Sequence, residues 1–591
     1  MRSMRTLFVL PALLVALAAA GRDAEGAAGG RRTDPRKATI RLAPGQSISA
    51  AVARAKPGDV IALAPGSYKG RVSIENSGAP EKPIVIVSAS SDPAKYAVID
   101  GQGKPGDEYG KVKPGVYMKG AAWIVLERLK FRNCWNQVVY LENSKYITVR
   151  SCDILGGRHV VFTRCREPIR PGGPGTHHVL IEDCYWQQDE RILTKWDWEQ
   201  VHHGSLKAYN GSIYDGRTGS GGAVIRHNHL RHVFNGVQLW ADSPNHQTNN
   251  EIYANLIESV RDNAIEPEHH AFNLHVYHNV MNMNQMLISI DSVKGGPIYL
   301  YGNVGYYSHE AKGPGYKNFS SVFKLAKAQK RYLDKPLHVY HNSWHYKRSF
   351  HANRFQRNVR HFNNAYHFTR GPKDGGLDLE GWEKKMEPWH NVFDNDCSNL
   401  PWPRAIRVNE QEQHGIVADP AFMNPGAGDF RLRPGSPCID AGRVIPGFTQ
   451  SYVGKAPDIG AYENGVLVDG PAFRYVSPPG GDQYREKPRI VRCRVKGREL
   501  KIEWSAEIDP GSAKAGAVRI TADGAAVPVE KVAFPESGFA MLLTLGADVS
   551  PKSALDITFS PLPRGKNGQT ATMWAANLEL TPPAKPGRRA P

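Results

Sequence analysis

Three segments of the chain share one pattern: EIYANLIES (251–259), LHVYHNVMN (274–282) and PIYLYGNVG (297–305). In each of them, apolar or aromatic residues stand on both sides of a single asparagine, and these asparagines (255, 279 and 303) are 24 residues apart. The pattern extends in both directions along the chain. The equivalent position, here called the ladder position, is assigned to Cys134, Cys152, Cys184, Asn228, Asn255, Asn279, Asn303, Asn342 and Asn364, with Asn391 as a candidate tenth. One short unit repeated at this period predicts a solenoid.

The units are short strands bounded by Gly, Asn and Asp, without helical periodicity between them. They predict an all-β fold, a right-handed parallel β-helix, rather than a leucine-rich or helical repeat. A β-propeller or sandwich is the alternative, but propeller blades need about 40 residues each with little variation. Stacked coils would place ladder residues about 4.8 Å apart. Buried Asn amides at that spacing can hydrogen-bond to one another, and the cysteines are interpreted as small buried apolar residues.

The composition is that of an ordinary soluble protein with a basic balance. Hydrophobic residues make up 41% of the 591 residues, and the formal net charge is +18. A basic surface favours an anionic partner. Since no dense Lys/Arg run suggests a nucleic-acid arm, we expect an acidic polysaccharide and no nucleic acid. The seven cysteines leave at least one free thiol, and the absence of a C-x-x-C spacing disfavours a structural zinc site.

The chain divides into five predicted parts. Residues 1–20 carry Arg2 and Arg5, an apolar run and an A-x-A pattern, which together predict a secretory signal peptide and a secreted, periplasmic or cell-surface protein without a membrane span. Residues 21–37 are expected to be a disordered polar segment, 38–465 the β-helix, and 466–486 a Gly/Pro-rich linker. Residues 487–583 alternate like strands and predict a small β-sandwich. We expect a monomer.

A resemblance to a known superfamily covers about residues 38–465. AAVARAKPGDVIALAPGSYKG, PIVIVSAS and AVIDGQG near the N-terminus are similar to the first coils of secreted β-helix proteins of the pectate-lyase-like superfamily. They most resemble polysaccharide lyase family 6, the alginate lyase and chondroitinase B type. SPCIDAG and DIGAYE resemble the last coil of many bacterial members. EWSAEIDPGSA and ITFSPLPRGKNGQ resemble the Ig-like modules of bacterial surface proteins. This superfold hosts lyases, hydrolases, epimerases and adhesins, so the resemblance indicates the fold more than the activity.

The stretch IEPEHH (265–270) breaks the apolar repeat and provides the candidate site. Aligning the strands with aliphatic residues inward places Leu206, Val237, Ile265, Ile288 and Phe323 in the core. The next residues then face outward: Lys207, Gln238, Glu266, Ser289 and Lys324. Two residues further along, also outward, are Tyr209, Trp240, Glu268, Asp291 and Ala326. Glu266 and Glu268 thus share a face, about 6.6 Å apart at Cα.

Three chemistries fit this group of acidic residues. In β-elimination, oxygen ligands from Glu266, Glu268 and Asp291 suit Ca²⁺, and Lys207 or Lys324 serves as base if its pKa is lowered. In inverting hydrolysis, Glu266, Glu268 and Asp291 supply a general acid and a general base without metal. The third is a transition-metal site that uses His269 and His270, although adjacent histidines on a strand point to opposite faces.

The resemblance to family 6 bears on the first of these chemistries. It implies that Glu266 and Glu268, which match the family's E-x-E spacing, bind calcium, and that a lysine a few residues later abstracts the proton. In this chain His270, Phe272 and Asn273 stand where that lysine is expected.

Further candidates are substrate-binding residues. Trp240, Tyr209, Gln238 and His270 lie near the acidic residues in the predicted register. In the insertion before Asn228, Trp196 and Trp198 can stack on sugar rings, and His202 and His203 can act as acid or base. The expected function is a secreted polysaccharide-degrading enzyme, a lyase acting on an acidic, uronate-containing glycan. The alternatives are an inverting glycoside hydrolase and a non-catalytic surface glycan-binding protein.

Overall fold

The structure is a computed structural model that describes residues 32–563 with interruptions. The segments outside the description are 1–31, 105–112, 166–174, 194–197, 206, 217, 220, 240–248, 270, 283, 292, 308–320, 326–334, 353–357, 370–390, 403–409, 447, 450–451, 464–489, 505–507, 535–539, 551–552, 554, 561–562 and 564–591. The predicted signal peptide and linker lie outside the described residues, and so does part of each neighbouring segment.

Short strands dominate the described chain up to residue 432. They are β1 (Ile40–Leu42), β2 (Val60–Leu63), β3 (Ser67–Lys69), β4 (Val72–Ile74), β5 (Ile84–Ser88), β6 (Val98–Asp100), β7 (Val116–Lys119), β8 (Ala122–Glu127), β9 (Lys130–Arg132), β10 (Gln137–Glu142), β11 (Lys145–Arg150), β12 (Asp153–Leu155), β13 (His159–Arg164), β14 (His177–Glu182), β15 (Tyr185–Gln187), β16 (Tyr214–Asp215), β17 (Val224–Arg226), β18 (His229–Arg231), β19 (Val237–Gln238), β20 (Glu251–Tyr253), β21 (Leu256–Glu258), β22 (Asn263–Glu266), β23 (Leu274–Tyr277), β24 (Val280–Asn282), β25 (Met286–Ser289), β26 (Ile298–Tyr301), β27 (Val304–Tyr306), β28 (Ser321–Leu325), β29 (Leu337–Tyr340), β30 (Ser343–Tyr346), β31 (Arg348–Ala352), β32 (Val359–Phe362), β33 (Ala365–Phe368), β34 (Val392–Asp394), β35 (Cys397–Ser398), β36 (Ile416–Val417), β37 (Phe422–Asn424) and β38 (Asp429–Leu432). The α-helices are α1 (Ile48–Arg54), α2 (Glu190–Leu193) and α3 (Trp198–His202).

Three long parallel sheets form the solenoid. Within the described residues, the first sheet contains 13 strands from β1 to β34, the second contains 13 strands from β3 to β36, and the third contains 10 strands from β4 to β31. Successive strands pass from the first sheet to the second and then to the third before the next coil begins, as in β20, β21 and β22. All pairings within these sheets are parallel, and one continuous apolar core fills the interior. The predicted parallel β-helix is confirmed.

The asparagine ladder is present and explains the repeat. The backbone N–H and the side-chain amide of Asn255 both donate to Oδ1 of Asn279, at 3.1 and 2.9 Å. Asn279 donates in the same way to Oδ1 of Asn303, at 3.1 and 3.0 Å. The residue before each ladder position has a positive φ, for example 52° at Ala254 and 52° at His278. The hydrogen bonds of the asparagine side chains therefore stabilise a left-handed turn in each coil that has an asparagine at the ladder position.

The predicted ladder is wrong at its two ends. Strand register places Cys152 opposite Leu129, so Leu129 and not Cys134 occupies the ladder position in that coil. Cys134 lies beyond β9, at the next corner, where Asn133 also has a positive φ of 56° and imitates the motif. At the other end, the backbone N–H and side-chain amide of Asn364 donate to Oδ1 of Asp396, and Asn391 is not in the ladder. Cys152, Cys184 and the six asparagines from 228 to 364 are confirmed.

The end of the ladder merges into a buried polar network. Nδ1 of His361 bonds to Asp396, and its Nε2 lies 2.7 Å from the hydroxyl of Tyr366. Burial raises the pKa of Asp396 to about 8 and that of Glu412 well above its ordinary value, and burial lowers the pKa of His361 to about 4. A carboxyl that remains protonated can hydrogen-bond inside the core without an uncompensated charge.

The N-terminal end is closed by the predicted helix. In α1, Ile48, Ala51 and Val52 are buried, and the Ser47 side chain accepts a hydrogen bond from the N–H of Ala50. Residues 32–37, the described part of the segment 21–37, are folded against the first sheet. The backbone N–H and hydroxyl of Thr33 donate to the Glu127 carboxylate, which is also paired with Arg150.

The C-terminal strands form a separate pair of antiparallel sheets. They are β39 (Ile490–Lys496), β40 (Glu499–Trp504), β41 (Val518–Ala522), β42 (Ala525–Val527), β43 (Val529–Ala533), β44 (Ala540–Leu545) and β45 (Leu555–Phe559). One sheet has the order β39-β40-β44-β43 and the other β42-β41-β45, and side chains of both sheets share one buried cluster. This is the layered packing of a β-sandwich.

Two further findings concern the cysteines and the helices. The six cysteines whose side chains are described form no disulfide with one another. Burial raises the pKa of the Cys134 thiol to about 12, which is typical of a structural rather than a reactive thiol. No helix in the described part of the chain is long and apolar enough to cross a membrane.

Candidate active site on the third sheet

The third sheet places four of the predicted outward residues in one column. Gln238 pairs with Glu266, Ile265 with Ile288, and Ser289 with Lys324. Ile265 and Ile288 are fully buried in the core, so the neighbouring residues Glu266 and Ser289 point to the other face. The predicted register is therefore confirmed for β19, β22, β25 and β28.

The register is wrong for Lys207 and Tyr209. They belong to a 3-10 turn, Lys207–Tyr209, rather than to a strand of the third sheet. The strand of that coil is β16, and Asp215 takes the place predicted for Lys207, opposite Gln238. The alternating pattern of LKAYN (206–210) resembles a strand, but the strand of this coil lies in SIYD (212–215), where Tyr214 is the residue that points into the core. Lys207 is exposed. Tyr209 is buried among Trp135, Ile192, Val201 and Phe234, so its ring packs in the interior.

Glu266 is a buried acidic residue of the outward column. It is 8% exposed and accepts hydrogen bonds from the side-chain amides of Gln238, at 2.6 Å, and Asn263, at 3.1 Å. Pro267 follows directly and has no N–H to donate, so the strand ends here. Burial, followed by repulsion from Glu268 and Asp262, raises the pKa of Glu266 well above its ordinary value.

Glu268 lies at the edge of this pocket and is half-buried as a residue. Its Oε1 accepts a hydrogen bond of 2.6 Å from the hydroxyl of Ser289. Burial raises the pKa of Glu268 to about 7, although Lys324 and the Ser289 hydroxyl act in the opposite direction. A carboxyl that titrates near neutrality can both accept and release a proton under physiological conditions.

Lys324 provides the positive charge of the site. Its Nζ lies 3.9 Å from Oδ2 of Asp291. Burial lowers the pKa of Lys324, but the attraction of Asp262, Glu268, Glu266 and Asp291 outweighs burial and leaves the pKa above its ordinary value. The condition for Lys324 to act as a base, a lowered pKa, is therefore not met. We call Asp262, Glu266, Glu268, Asp291 and Lys324 the carboxylate cluster.

Sequence reasoning missed Asp262 and Asp215. Asp262 is 8% exposed and directly precedes β22, so it lies outside the strand positions on which the alternation of inward and outward residues is based. Asp215 is fully buried, and its Oδ2 lies 3.6 Å from Nε2 of His159. It was missed because the strand of that coil had been assigned to the wrong segment.

Several predicted residues cannot be placed. Trp240, His270 and Trp196 lie outside the described residues, and the side chain of Trp198, in α3, is not described. His202 and His203 contact each other's rings. His269 is described, and its Nδ1 lies 3.1 Å from Nζ of Lys294. A lysine at that position competes with a metal ion for the imidazole, which does not favour the transition-metal site.

The calcium prediction can be tested on the donor set. Carboxylate oxygens are the ligands that Ca²⁺ prefers, and Oδ1 of Asp291 is buried without a hydrogen-bond partner among the described residues. The spacing does not fit, however. Among the described residues, the set of three whose ligand atoms all lie within 4.8 Å of one another is His361, Asp396 and Glu412, in the core, and not the carboxylate cluster. As placed, Glu266, Glu268 and Asp291 do not form a closed set of ligands for one ion.

Comparisons with known proteins give matches among solved structures. No protein-family model matches this chain, and no curated protein matches it. The alginate lyase from Paenibacillus sp. str. FPU-7 is 17% identical, with 57% of this chain and 98% of that chain covered and a TM-score of 0.36. The pectate lyase Pel9A is 15% identical, with 72% and 96% covered and a TM-score of 0.36. The PL6 family polysaccharide lyase Pedsa3628 from Pseudopedobacter saltans is 14% identical, with 67% and 96% covered and a TM-score of 0.35.

Each of these three matches has a low identity and a low TM-score, so none of them carries an argument about substrate or chemistry. The substrate and the chemistry must therefore be argued from the residues of this chain.

Proposed function

We propose that this protein is a polysaccharide lyase that cleaves an acidic, uronate-containing glycan by β-elimination at the carboxylate cluster. The observation that carries the proposal is the grouping of acidic side chains around Lys324 on the outward face of the third sheet, where Nζ of Lys324 lies 3.9 Å from Oδ2 of Asp291 and Glu268 accepts a hydrogen bond from Ser289. The rise of the Glu268 pKa to about 7 and the raised pKa of Lys324 support it. Like charges crowded in a buried place reduce stability, so their presence is best explained by function.

Each step of the elimination can be assigned to a residue of the cluster. The positive charge of Lys324 pairs with the uronate carboxylate, which makes the adjacent C–H more acidic. Ionised Glu268, positioned by the Ser289 hydroxyl, accepts that proton. The electron pair of the C–H bond forms the new C=C bond as the bond to the glycosidic oxygen breaks. The proton taken up by Glu268 is then available to the leaving oxygen, so that Glu268 returns to its ionised form.

Glu266 and Asp291 have supporting roles in this proposal. Glu266, with its raised pKa and its bonds from Gln238 and Asn263, is a positioning residue that carries a proton in the interior of the site. Asp291 orients Lys324. No step requires a metal. Binding of Ca²⁺ remains a prediction, supported by the chemistry of the donors and not by their spacing.

The test is incubation of the protein with polymannuronate, polyguluronate, polygalacturonate and glycosaminoglycans, each with Ca²⁺ and with a chelator. A lyase produces unsaturated ends that absorb ultraviolet light. Glu268→Gln is expected to lose activity by a factor of about 100 or more. Glu258→Gln changes a half-buried glutamate of β21, on the second sheet, that is hydrogen-bonded to His229; it is the matched control and is expected to keep the activity. Unsaturated products formed equally well by Glu268→Gln would rule out the assigned base.

An inverting glycoside hydrolase is the second candidate, and the raised pKa of Glu268 favours it as well. A carboxyl that is protonated near neutrality can donate a proton to a glycosidic oxygen, while a second carboxylate such as Asp291 activates water. New reducing ends without ultraviolet-absorbing products would select this reading. Binding without any cleavage would instead favour a glycan-binding protein. For both the lyase and the hydrolase, the sequence of residues 1–20 supports action outside the cytoplasm. We also propose that the protein acts as a monomer.

A further inference from the structure

A row of three aromatic rings continues the outward column of the carboxylate cluster. Tyr117 pairs with Tyr140, and Tyr140 pairs with Phe162. Phe162 in turn pairs with Asp215, which pairs with Gln238 and so leads to Glu266. We call Tyr117, Tyr140 and Phe162 the aromatic row. At about 4.8 Å per strand, Phe162 stands roughly 14 Å from Glu266 along the column.

The aromatic row is partly exposed where the fold does not require aromatic residues. The outward positions beyond Phe162 are polar: Asp215, Gln238, Glu266, Ser289 and Lys324. The three rings are neither fully buried nor fully exposed. Their centroids are 5.5 and 5.3 Å apart, with planes tilted by 50° and 44°. Because tilted neighbours do not cover each other's faces completely, part of each ring face remains available.

A second row, two residues further along the same strands, is charged. Lys119 pairs with Glu142, and Glu142 pairs with Arg164. Lys119 and Arg164 are exposed, whereas Glu142 is 6% exposed and accepts a hydrogen bond of 2.9 Å from the Tyr117 hydroxyl. Arg71, which directly precedes the neighbouring strand β4, places its guanidinium carbon 5.3 Å from the centroid of the Tyr117 ring. The aromatic row is therefore bordered by more positive than negative charge.

We infer that the aromatic row and its cationic border bind the acidic glycan chain on its way to the carboxylate cluster. The apolar face of a pyranose ring packs against an aromatic face, and carboxylate substituents on the sugars pair with Lys119, Arg164 and Arg71. The choice of ligand rests on the proposed function. The row and the cluster occupy one sheet and one column, so a chain several sugars long extends across both without turning a corner of the solenoid.

The alternative is that the rings stabilise only the sheet, as cross-strand aromatic pairs do. A matched control separates the two interpretations. Trp123 and Tyr146 form a stacked pair, with centroids 4.1 Å apart, in the coils of the same region, but they lie in β8 and β11 of the first sheet. Truncation of that pair removes comparable packing from a face that does not carry the carboxylate cluster.

The experiment measures binding and cleavage separately on the full chain. Binding of polymannuronate, polyguluronate and polygalacturonate, with neutral dextran as a control, is measured by affinity electrophoresis in a Glu268→Gln background, where cleavage is suppressed. Phe162→Ala and Tyr140→Ala are expected to weaken binding of the polyuronate by about tenfold each. Arg164→Gln is expected to weaken it mainly at low salt. Tyr146→Ala should leave it unchanged. If an alanine variant does not fold, Phe162→Leu and Tyr140→Leu keep an apolar side chain without the ring.

The outcomes separate this inference from the proposed function. If the protein with native Glu268 cleaves a polyuronate and Phe162→Ala raises KM with little change in kcat, both are supported. If cleavage occurs and neither KM nor binding changes in Phe162→Ala and Tyr140→Ala, the aromatic row is purely structural and this inference is overturned alone. Binding that depends on the row without any cleavage supports the row and overturns the enzyme. If the native chain binds none of the three polyuronates, this inference is overturned, and the proposed function is overturned as well if the glycosaminoglycans are not cleaved.

Discussion

Replacement of Glu268 by glutamine is expected to stabilise the protein at neutral and alkaline pH. Glutamine has the same size, can still accept a hydrogen bond from the Ser289 hydroxyl, and removes a charge that the site disfavours. Since burial raises the pKa of Glu268 to about 7 from an ordinary value of 4.5, the folded state binds a proton more tightly than the unfolded state. Between those two values, the free energy of unfolding of the native chain must fall as the pH rises.

The size of the effect follows from the same pKa values. At 1.36 kcal/mol for each pKa unit, a rise from 4.5 to about 7 corresponds to about 3 kcal/mol. Below pH 4.5 the carboxyl is protonated in both states, so Glu268→Gln and the native chain should be equally stable. Above pH 7 the variant should be more stable by nearly the full amount. The two curves should separate across the window between these values.

The assay is denaturant-induced unfolding of the solenoid at a series of pH values, in the presence of a chelator. Glu258→Gln is a control with the opposite sign. Although burial acts to raise the pKa of Glu258, the hydrogen bond and charge of His229 lower it overall, so this carboxylate stabilises the fold at neutral pH and the effect is lost on acidification. Glu258→Gln should therefore be less stable than the native chain at pH 7. If Glu268→Gln were also less stable at pH 8 in the chelator, the ionised Glu268 would be favourably bound, and the reasoning about its burial would be refuted.

Three further predictions concern the ladder, the lysine and calcium. Asn279→Ala removes four hydrogen bonds, with the backbone N–H and side-chain amide of Asn255, the carbonyl of Ile252 and Oδ1 of Asn303. It should lower the free energy of unfolding, measured by denaturant titration, by about 4 kcal/mol. The control Asn424→Ala, at an exposed asparagine, should change that free energy by less than about 0.5 kcal/mol. Lys324→Met removes the cation that lowers the pKa of Glu268. The value of kcat/KM on a polyuronate should therefore fall by about 100-fold at neutral pH, and the pH profile of activity should move to higher pH. An unshifted pH profile would contradict the assigned influence of Lys324 on Glu268. Chelation should leave activity unchanged because Lys324 supplies the positive charge; loss of activity that only Ca²⁺ restores would show that the carboxylates close around an ion.

The residues that could be predicted from sequence are those fixed by local repetition. Asn255, Asn279 and Asn303 appear at one spacing because their coils need the same left-handed turn and the same hydrogen bonds to asparagine side chains. A one-residue shift in register would turn apolar side chains outward, so Ile265 and Ile288 also fix the positions of Glu266 and Ser289. Errors occurred where the repeat is imitated, as at Cys134, or interrupted by an insertion, as at Lys207.

By itself, the sequence determined that the chain forms a parallel solenoid and that Glu266 and Glu268 lie on its outer face, because a strand period of two and a coil period near 24 residues are properties of neighbouring residues. Only the tertiary structure decided the chemistry of that face. Ser289, Asp291 and Lys324 reach the two glutamates from other segments of the chain, and the pKa values depend on how deeply those groups are buried and how closely they approach. The sequence of a single coil does not determine how deeply a side chain is buried or which charges approach it. The pKa shifts of Lys324 and Glu268 therefore follow only from the folded chain.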